Sequence, residues 1–450
     1  MKEFLDSVLG VALIPICFGV AAFVWWMMMR NVDFTIWPAL SFALLLLPVF
    51  LPYVLFHLTY ERWQEFTQTR NKQRAGRVTL RIKPPPDVFK SPEAMETVLA
   101  QINNTSKADN FMEAYIGGKH PLSISLELVS IGGDVRMYVN VPRKQIKDIL
   151  EAQLYAQYPG IEITEEPIDY AAEIQWNEDE MDLMSFHAVK ADEEVLPIKT
   201  YIDLGLDRMP KEEEKVEPMA PIIEFLSKAK PHERIIYQFI CAPHVKKEFK
   251  LGTSLKTKPT WKKAAQRKIN ELMYRDENRL SIRAEDEEEK DARPSLTMGE
   301  RDLVSAIERN TGKLAYVTGI RIMLITLDKT QFDGGKIAPL LKVFYPFDDQ
   351  NRNQIGIRWK TDFDYMFFED FTGTKKTARK KRELEHFKLR KYDAGDGKVN
   401  KIHQPTVFSV EELATIFHVP GRSVITPQLG RVASARGNAP DNLPIGELPS

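Results

Sequence analysis

LSISLELVSIGGDVRMYVNV, Leu122 to Val141, is the stretch on which the fold turns. Leu122, Ile124, Leu126 and Leu128 alternate with polar residues, and Val135, Met137, Val139 and Val141 alternate again after the Gly132-Gly133-Asp134 turn. Period-two alternation on both sides of a glycine turn marks a β-hairpin with one apolar face. Working outward, Val78, Leu80 and Ile82 alternate in the same way and predict another strand. Ser91-Pro92 opens a helix whose Met95, Val98, Leu99 and Ile102 follow helical spacing. After the hairpin, Pro142 begins a helix with Ile146, Ile149, Leu150 and Leu154 on one face, and Ile161 and Ile163 supply a last strand. The order β-α-β-β-α-β predicts a ferredoxin-like α+β domain over residues 78–170.

Residues 171–194 continue an acid-rich stretch and read as a solvated connector. A second α+β domain is predicted over 195–330, interrupted at 245–296 by an insertion that is first basic and then acidic. Residues 331–408 read as an irregular region with a basic helix, and 409–450 as an exit helix and C-terminal linker. The fold class is thus α+β, with two ferredoxin-like or related α/β sandwich units behind an N-terminal helical hairpin.

That hairpin is predicted over residues 1–60. Val8 to Met29 carries no charge, and Phe34 to Tyr60 carries none apart from His57 when protonated. Each run exceeds the roughly 20 apolar residues that cross a bilayer. A cleaved signal peptide has a shorter apolar core and is not followed at once by a second span. The connecting loop Arg30 to Asp33 holds one basic residue, whereas the juxtamembrane segment 61–77 holds Arg62, Arg70, Lys72, Arg74 and Arg77. The positive-inside rule therefore places both termini and the body on the cytoplasmic side. Four prolines in the spans leave a transport path open, but two helices without buried charge make a poor one.

Composition excludes more than it selects. The chain has 450 residues, 43% of them apolar, and a net charge of −1. This length holds two or three domains with real cores, and near neutrality argues against a uniform coat for nucleic acid. Cys17 and Cys241 draw no disulfide framework, and the eight histidines form no metal-ligand pair. Gly118-Lys119, Gly312-Lys313 and Gly397-Lys398 each lack the upstream glycine and the following hydroxyl of a P-loop. No cofactor and no catalytic residue are assigned.

KKTARKKRELEHFKLRK, Lys375 to Lys391, carries nine bases against two acids. It reads either as a solvated basic face or as a segment attracted to phosphate. On the second reading Lys375, Lys376, Arg379, Lys380, Lys381 and Arg382 are candidate contacts to anionic lipid or, without sequence preference, to DNA. FSVEELATIFHVPG, Phe408 to Gly421, is a short helix with a Ser409–Glu412 capping box and a Pro420-Gly421 stop. Its Val410, Leu413, Ala414 and Phe417 share one face, and His418 reads as a helix-end residue favouring the dipole.

Several stretches resemble bacterial conjugative-transfer ATPases of the type IV secretion and HerA/FtsK-like group. VEPMAPIIEFLSKAKPHERIIYQFICAP, Val216 to Pro243, is similar to that family's acidic-Pro-apolar helix leading through a turn to an apolar-Gln-apolar strand. Pro231-His232-Glu233 stands where Pro-Gly-Glu is usual. ERDLVSAIERNTGKLAYVTGIRIMLIT, Glu300 to Thr326, resembles the next helix and strand. FSVEELATIFHVPG resembles the recurring T-E-E-L-A-x-x-x-H-x-P segment, and ITPQLGRVASARGNAPDNLP, Ile425 to Pro444, the linker into the motor. The resemblance runs from about Ser123 to the end, and the motor with its P-loop is not in this sequence.

What the resemblance implies is a membrane-anchored, non-catalytic platform that positions a translocation ATPase. The motor then works in trans or follows residue 450. Leu413 and Phe417 would dock the exit helix at the motor junction, as a late and small element whose loss leaves the body folded. A homo-oligomeric ring follows by analogy with motor platforms. The competing reading is a freestanding membrane scaffold of the cell envelope with no motor partner.

Overall fold

Gly132 and Gly133 close the decisive hairpin with φ of 60° and 97°, values that L side chains rarely adopt. They leave Ile131 facing Asp134 across a two-residue loop, the geometry that matches strand twist. The hairpin joins β2 (Ile124–Ile131) to β3 (Asp134–Pro142). The computed structural model describes residues 55, 59–60, 62–85, 90–104, 108, 110–208, 217–244, 247–250, 253–257, 261–273, 296–362, 373–392, 404–421 and 429–432.

Two compact units make up the chain, the smaller from 1–75, 105–121 and 245–260 and the larger from 76–104, 122–244 and 261–450. In the smaller unit lie a helical stretch over 62–75, helix α2 (Phe111–Tyr115) and the hairpin of β7 (Lys247–Lys250) and β8 (Thr253–Thr257). Trp63 Nε1 donates to the Tyr115 carbonyl at 2.7 Å. A Cβ at Gly118 would stand 2.2 Å from the Thr67 carbonyl oxygen, so only glycine fits there.

The larger unit is built on one antiparallel sheet, nine-stranded among the described residues. Besides β2 and β3 it contains β1 (Arg77–Lys83), β4 (Glu162–Glu165), β5 (Asp182–Lys190), β6 (Glu233–Pro243), β9 (Ala315–Thr326), β10 (Ile355–Lys360) and β11 (Thr406–Ser409). The order is β10-β5-β9-β6-β2-β3-β1-β4, with β11 pairing to β9 beyond the end of β5. Each half, β4-β1-β3-β2 and β10-β5-β9-β6, has its strands in the sequence order four-one-three-two. The halves meet at β2 and β6, which pair from Ile124 opposite Cys241 to Ile131 opposite Arg234.

This corrects the expected architecture. Two separate α/β units were predicted because each half carries its own alternation. Alternation does not say which strand will be an edge, and β2 and β6 cover each other's edges instead of ending two sheets. The expected acidic connector contains β5, whose residues after Asp182 are all buried. The expected transmembrane hairpin finds no support either: among the described residues no helix is long and apolar enough to cross a membrane. The runs Val8 to Met29 and Phe34 to Tyr60 themselves lie outside the described residues, except for 55, 59 and 60.

One sheet face carries the main core. Leu80, Leu126, Met137, Phe239 and Ile322 meet α1 (Glu93–Gln101), α3 (Lys147–Gln157), α4 (Ala220–Ser227), α7 (Ile337–Lys342) and α9 (Val410–Ile416). Over the other face lie α8 (Thr374–Lys388), through Leu384 and Phe387, and α5 (Trp261–Leu272) with α6 (Met298–Gly312), through Trp261, Ala265 and Ile307.

Candidate functional site

Strands with one face in a core ordinarily turn the other to water, but here the second face is covered and its polar residues have to satisfy one another. His187 on β5, Arg321 on β9, Gln238 on β6 and Glu127 on β2 stand directly opposite in successive pairs across four strands. All four are 0% exposed. Arg321 donates to Gln238 Oε1 at 2.5 Å, and Gln238 Nε2 donates to Glu127 Oε1 at 2.9 Å. Ser125 donates to the same carboxylate, and Asn140 donates to Thr79, which carries polar contacts out to β3 and β1. A charged row of this kind survives burial because every member has a partner with good geometry.

Helix α8 closes the row. Its Glu383 accepts from Arg321 Nε at 2.6 Å and from His187 Nε2 at 2.6 Å, with Ser185 Oγ at 3.3 Å. Burial alone would raise this carboxyl, but Arg321 and His187 beside it hold it well below the usual carboxylate range. Next along the row, Arg390 donates to Glu127 Oε1 at 3.0 Å and pairs with Asp169, while Tyr170 donates to Glu127 Oε2 at 2.7 Å. Burial again opposes the Glu127 charge, and Arg390 overcomes it, so this carboxyl too lies below its ordinary range.

Ser185, His187 and Glu383 are the residue types of a hydrolytic triad, but their arrangement is not one. Serine and histidine both bond the same carboxylate, whereas a triad needs the histidine between the other two. Nδ1 of His187 has no hydrogen-bond partner among the described residues, and its ring lies between Trp359 and Tyr392 at 4.5 and 4.8 Å. Its side chain is fully buried among the described residues. Chemically, the row holds a helix onto a sheet. Among the described residues no group of three His, Cys, Asp or Glu side chains could hold a metal ion.

Tyr392 makes the seal tight at one point. A Cβ at Gly319 would lie 2.4 Å from its ring, so the ring rests on bare backbone. Gly319→Ala is expected to displace Tyr392 and to cost about 1 to 3 kcal/mol through overpacking. Thermal melts compared with Gly319→Ala in a Tyr392→Ala background check the cause, because removing the ring should remove the penalty.

A second buried charge node surrounds α9. Its capping box is present as predicted, with Ser409 N donating to Glu412 at 2.8 Å and Glu412 N to Ser409 Oγ at 3.2 Å. Glu412 also pairs with Lys190 at 2.7 Å, both fully buried. Burial pulls the Lys190 ammonium below its usual range, and Glu412 opposes that only in part. Glu411 pairs with Arg309 at 3.1 Å and Lys313 at 2.9 Å. His418 bonds the Ala414 carbonyl through Nδ1 at 2.9 Å, the helix-end role expected of it, and lies 2.6 Å from Glu217 as well; burial lowers its pKa but Glu217 raises it further, above the ordinary value.

Leu413 and Phe417 are each 1% exposed and belong to the main core, with the Phe417 ring 6.3 Å from that of Phe239. Every residue of α9 is buried, so it is no late, peripheral element. The basic run is likewise only partly a solvated face. Lys380 is 9% exposed and pairs with Asp182, and Lys376 pairs with Asp362. Arg379 is half-buried, while Lys375, Lys381 and Arg382 are exposed. The structure therefore groups the last three as outward cations and turns Lys376 and Lys380 toward acids.

Sequence reasoning missed the polar row. The available signal was a charged or amide residue at the centre of each strand: Glu127, His187, Gln238 and Arg321. What could not be read is the register that sets them side by side. No curated protein matches this sequence. The profile of one family, however, matches residues 56–431, which take in both buried charge systems, and the chain therefore belongs to that family, described as a domain of unknown function (DUF8128).

Proposed function

We propose that this chain is the non-catalytic platform of a translocation ATPase in a type IV secretion-like machine, attached to the cytoplasmic side of a bacterial plasma membrane. The observation that carries the reading is that the stretches resembling the ATPase family, far apart in sequence, are neighbours in one folded block. β6 pairs with β9 from Glu233 to Pro243, β11 pairs with β9 from Thr406 to Ser409, and His418 bonds Glu217. A block held by buried ion pairs is suited to fixing a partner's position. Membrane attachment rests on the sequence alone, through the uncharged runs 8–29 and 34–60.

Purification of the full chain from native membranes tests the reading. An ATPase of the HerA/FtsK-like group is expected to co-purify, or to be encoded after residue 450, and the chain by itself should hydrolyse no ATP above background. Hydrolysis by this chain overturns the non-catalytic assignment. Absence of any such ATPase, both from the complex and from neighbouring genes, overturns the motor and leaves a freestanding scaffold.

A further inference from the structure

Exposed apolar side chains are not spread evenly over the chain. Of the fourteen large ones exposed among the described residues, Leu55, Trp63, Phe66, Met112 and Ile116 lie in the smaller unit, which supplies only a small part of those residues. They come from two segments that are tied together. The Trp63 indole donates to the Tyr115 carbonyl at 2.7 Å, the Tyr60 and Tyr115 rings stand 5.9 Å apart, and Gly118 lies against the Thr67 backbone. The helical stretch over 62–75 buries Thr67 and Ala75 and exposes Trp63 and Phe66, whose ring centres are 6.1 Å apart. At the end of α2, Ile116 N donates to the Met112 carbonyl at 3.0 Å, so the two exposed side chains share one side, a helical turn apart.

The place of these residues along the chain says what covers them. The uncharged run 34–60 ends just before Trp63. At 1.5 Å of rise per residue, Trp63 stands about 5 Å and Phe66 about 9 Å beyond Tyr60 along the helix. The polar layer outside the hydrocarbon core is roughly 5 to 8 Å deep on each side, so Trp63 falls within it and Phe66 at its outer edge. Tryptophan and the apolar sides of amphipathic helices settle at this level. Through its bond to Trp63, α2 is held at the same depth. Charge agrees, counted over whole units: the smaller carries 13 basic residues against 8 acidic in sequence, and the larger 49 against 55. An anionic leaflet attracts the smaller unit's excess, whereas a second copy of that unit would bring the same sign against it.

We propose that α2 is a second membrane contact: Met112 and Ile116, beside Trp63 and Phe66, enter the headgroup layer of the leaflet from which the run 34–60 emerges, and fix the smaller unit against the bilayer. The proposal deepens the function above and rests on its membrane attachment. An environment-sensitive fluorophore on Ile116→Cys tests it, in the full chain with Cys17→Ala and with Cys241 fully buried. The protein is reconstituted in vesicles of phosphatidylcholine and phosphatidylglycerol. Nitroxide carried at the headgroup is expected to remove most of the emission, and nitroxide at the bilayer centre little of it. Met112→Cys should give the same result. A label on Arg74→Cys, about 21 Å beyond Tyr60, should keep its emission with either nitroxide. A label on Ala43→Cys, inside the uncharged run, reads the attachment itself and should be quenched from the bilayer centre. Quenching at Ala43 with labels at Ile116 and Met112 that report water overturns the proposal and leaves the attachment standing. Labels there that are shielded from water but untouched by either nitroxide also overturn it, because protein then covers this surface. Loss of quenching at Ala43 overturns the attachment, and the proposal with it.

Discussion

Replacing Leu413 and Phe417 by aspartate is expected to abolish cooperative folding of the larger unit. Truncation of buried leucine and phenylalanine to alanine alone costs about 2 to 5 and 3 to 5 kcal/mol respectively. Their combined loss approaches the whole stability of a domain, about 5 to 15 kcal/mol, and aspartate adds an unpaired charge in an apolar core. Both side chains belong to the cluster that also holds Phe239, Leu226 and Val98. Circular dichroism melts of the full chain should show no cooperative transition. A retained transition, with new protease cleavage confined to residues 410–421, would sink this expectation and return α9 to the role of a junction.

Glu383→Leu is expected to cost about 3 to 5 kcal/mol, because it leaves the Arg321 guanidinium buried without its carboxylate. Restoring charge balance with Arg321→Met in the same protein should recover most of the loss, since an apolar pair of similar volume replaces an ion pair at little cost. Chemical denaturation of the single and double variants measures both. The pH dependence has a definite sign. Glu383 is depressed in the folded state by Arg321 and His187. Its contribution is therefore present above the ordinary carboxylate value of about 4.3 and is lost as pH falls below it. Glu383→Gln should flatten the acid limb of the stability profile. An acid limb as steep as that of the parent would show that other carboxylates set it.

Much of the larger unit was legible because its strands alternate cleanly. The Leu122 to Val141 hairpin, the strand at Val78 to Ile82 and the helix after Ser91-Pro92 all fall where side-chain period and turn residues put them. The α9 capping box was legible for the same local reason. What failed depends on pairings hundreds of residues apart. Residues 182–190 sit within an acid-rich stretch, yet β5 is buried because β9 and β10 flank it. Lys380 reads as one more cation until Asp182 is found beside it. The environment of Leu413 depends on α1, whose helix begins more than 300 residues earlier.

The mirrored strand order gives the larger unit a pseudo-symmetric seam. In each half the strand at the join is the second of its set, and the two meet antiparallel, as identical edges related by a two-fold axis do. Such a seam is the one a small protein uses to pair with its own copy. The larger unit therefore has the layout of a homodimer written in one chain. The two halves differ most at one equivalent connection, a two-residue turn between β2 and β3 in the first and the long insertion between β6 and β9 in the second.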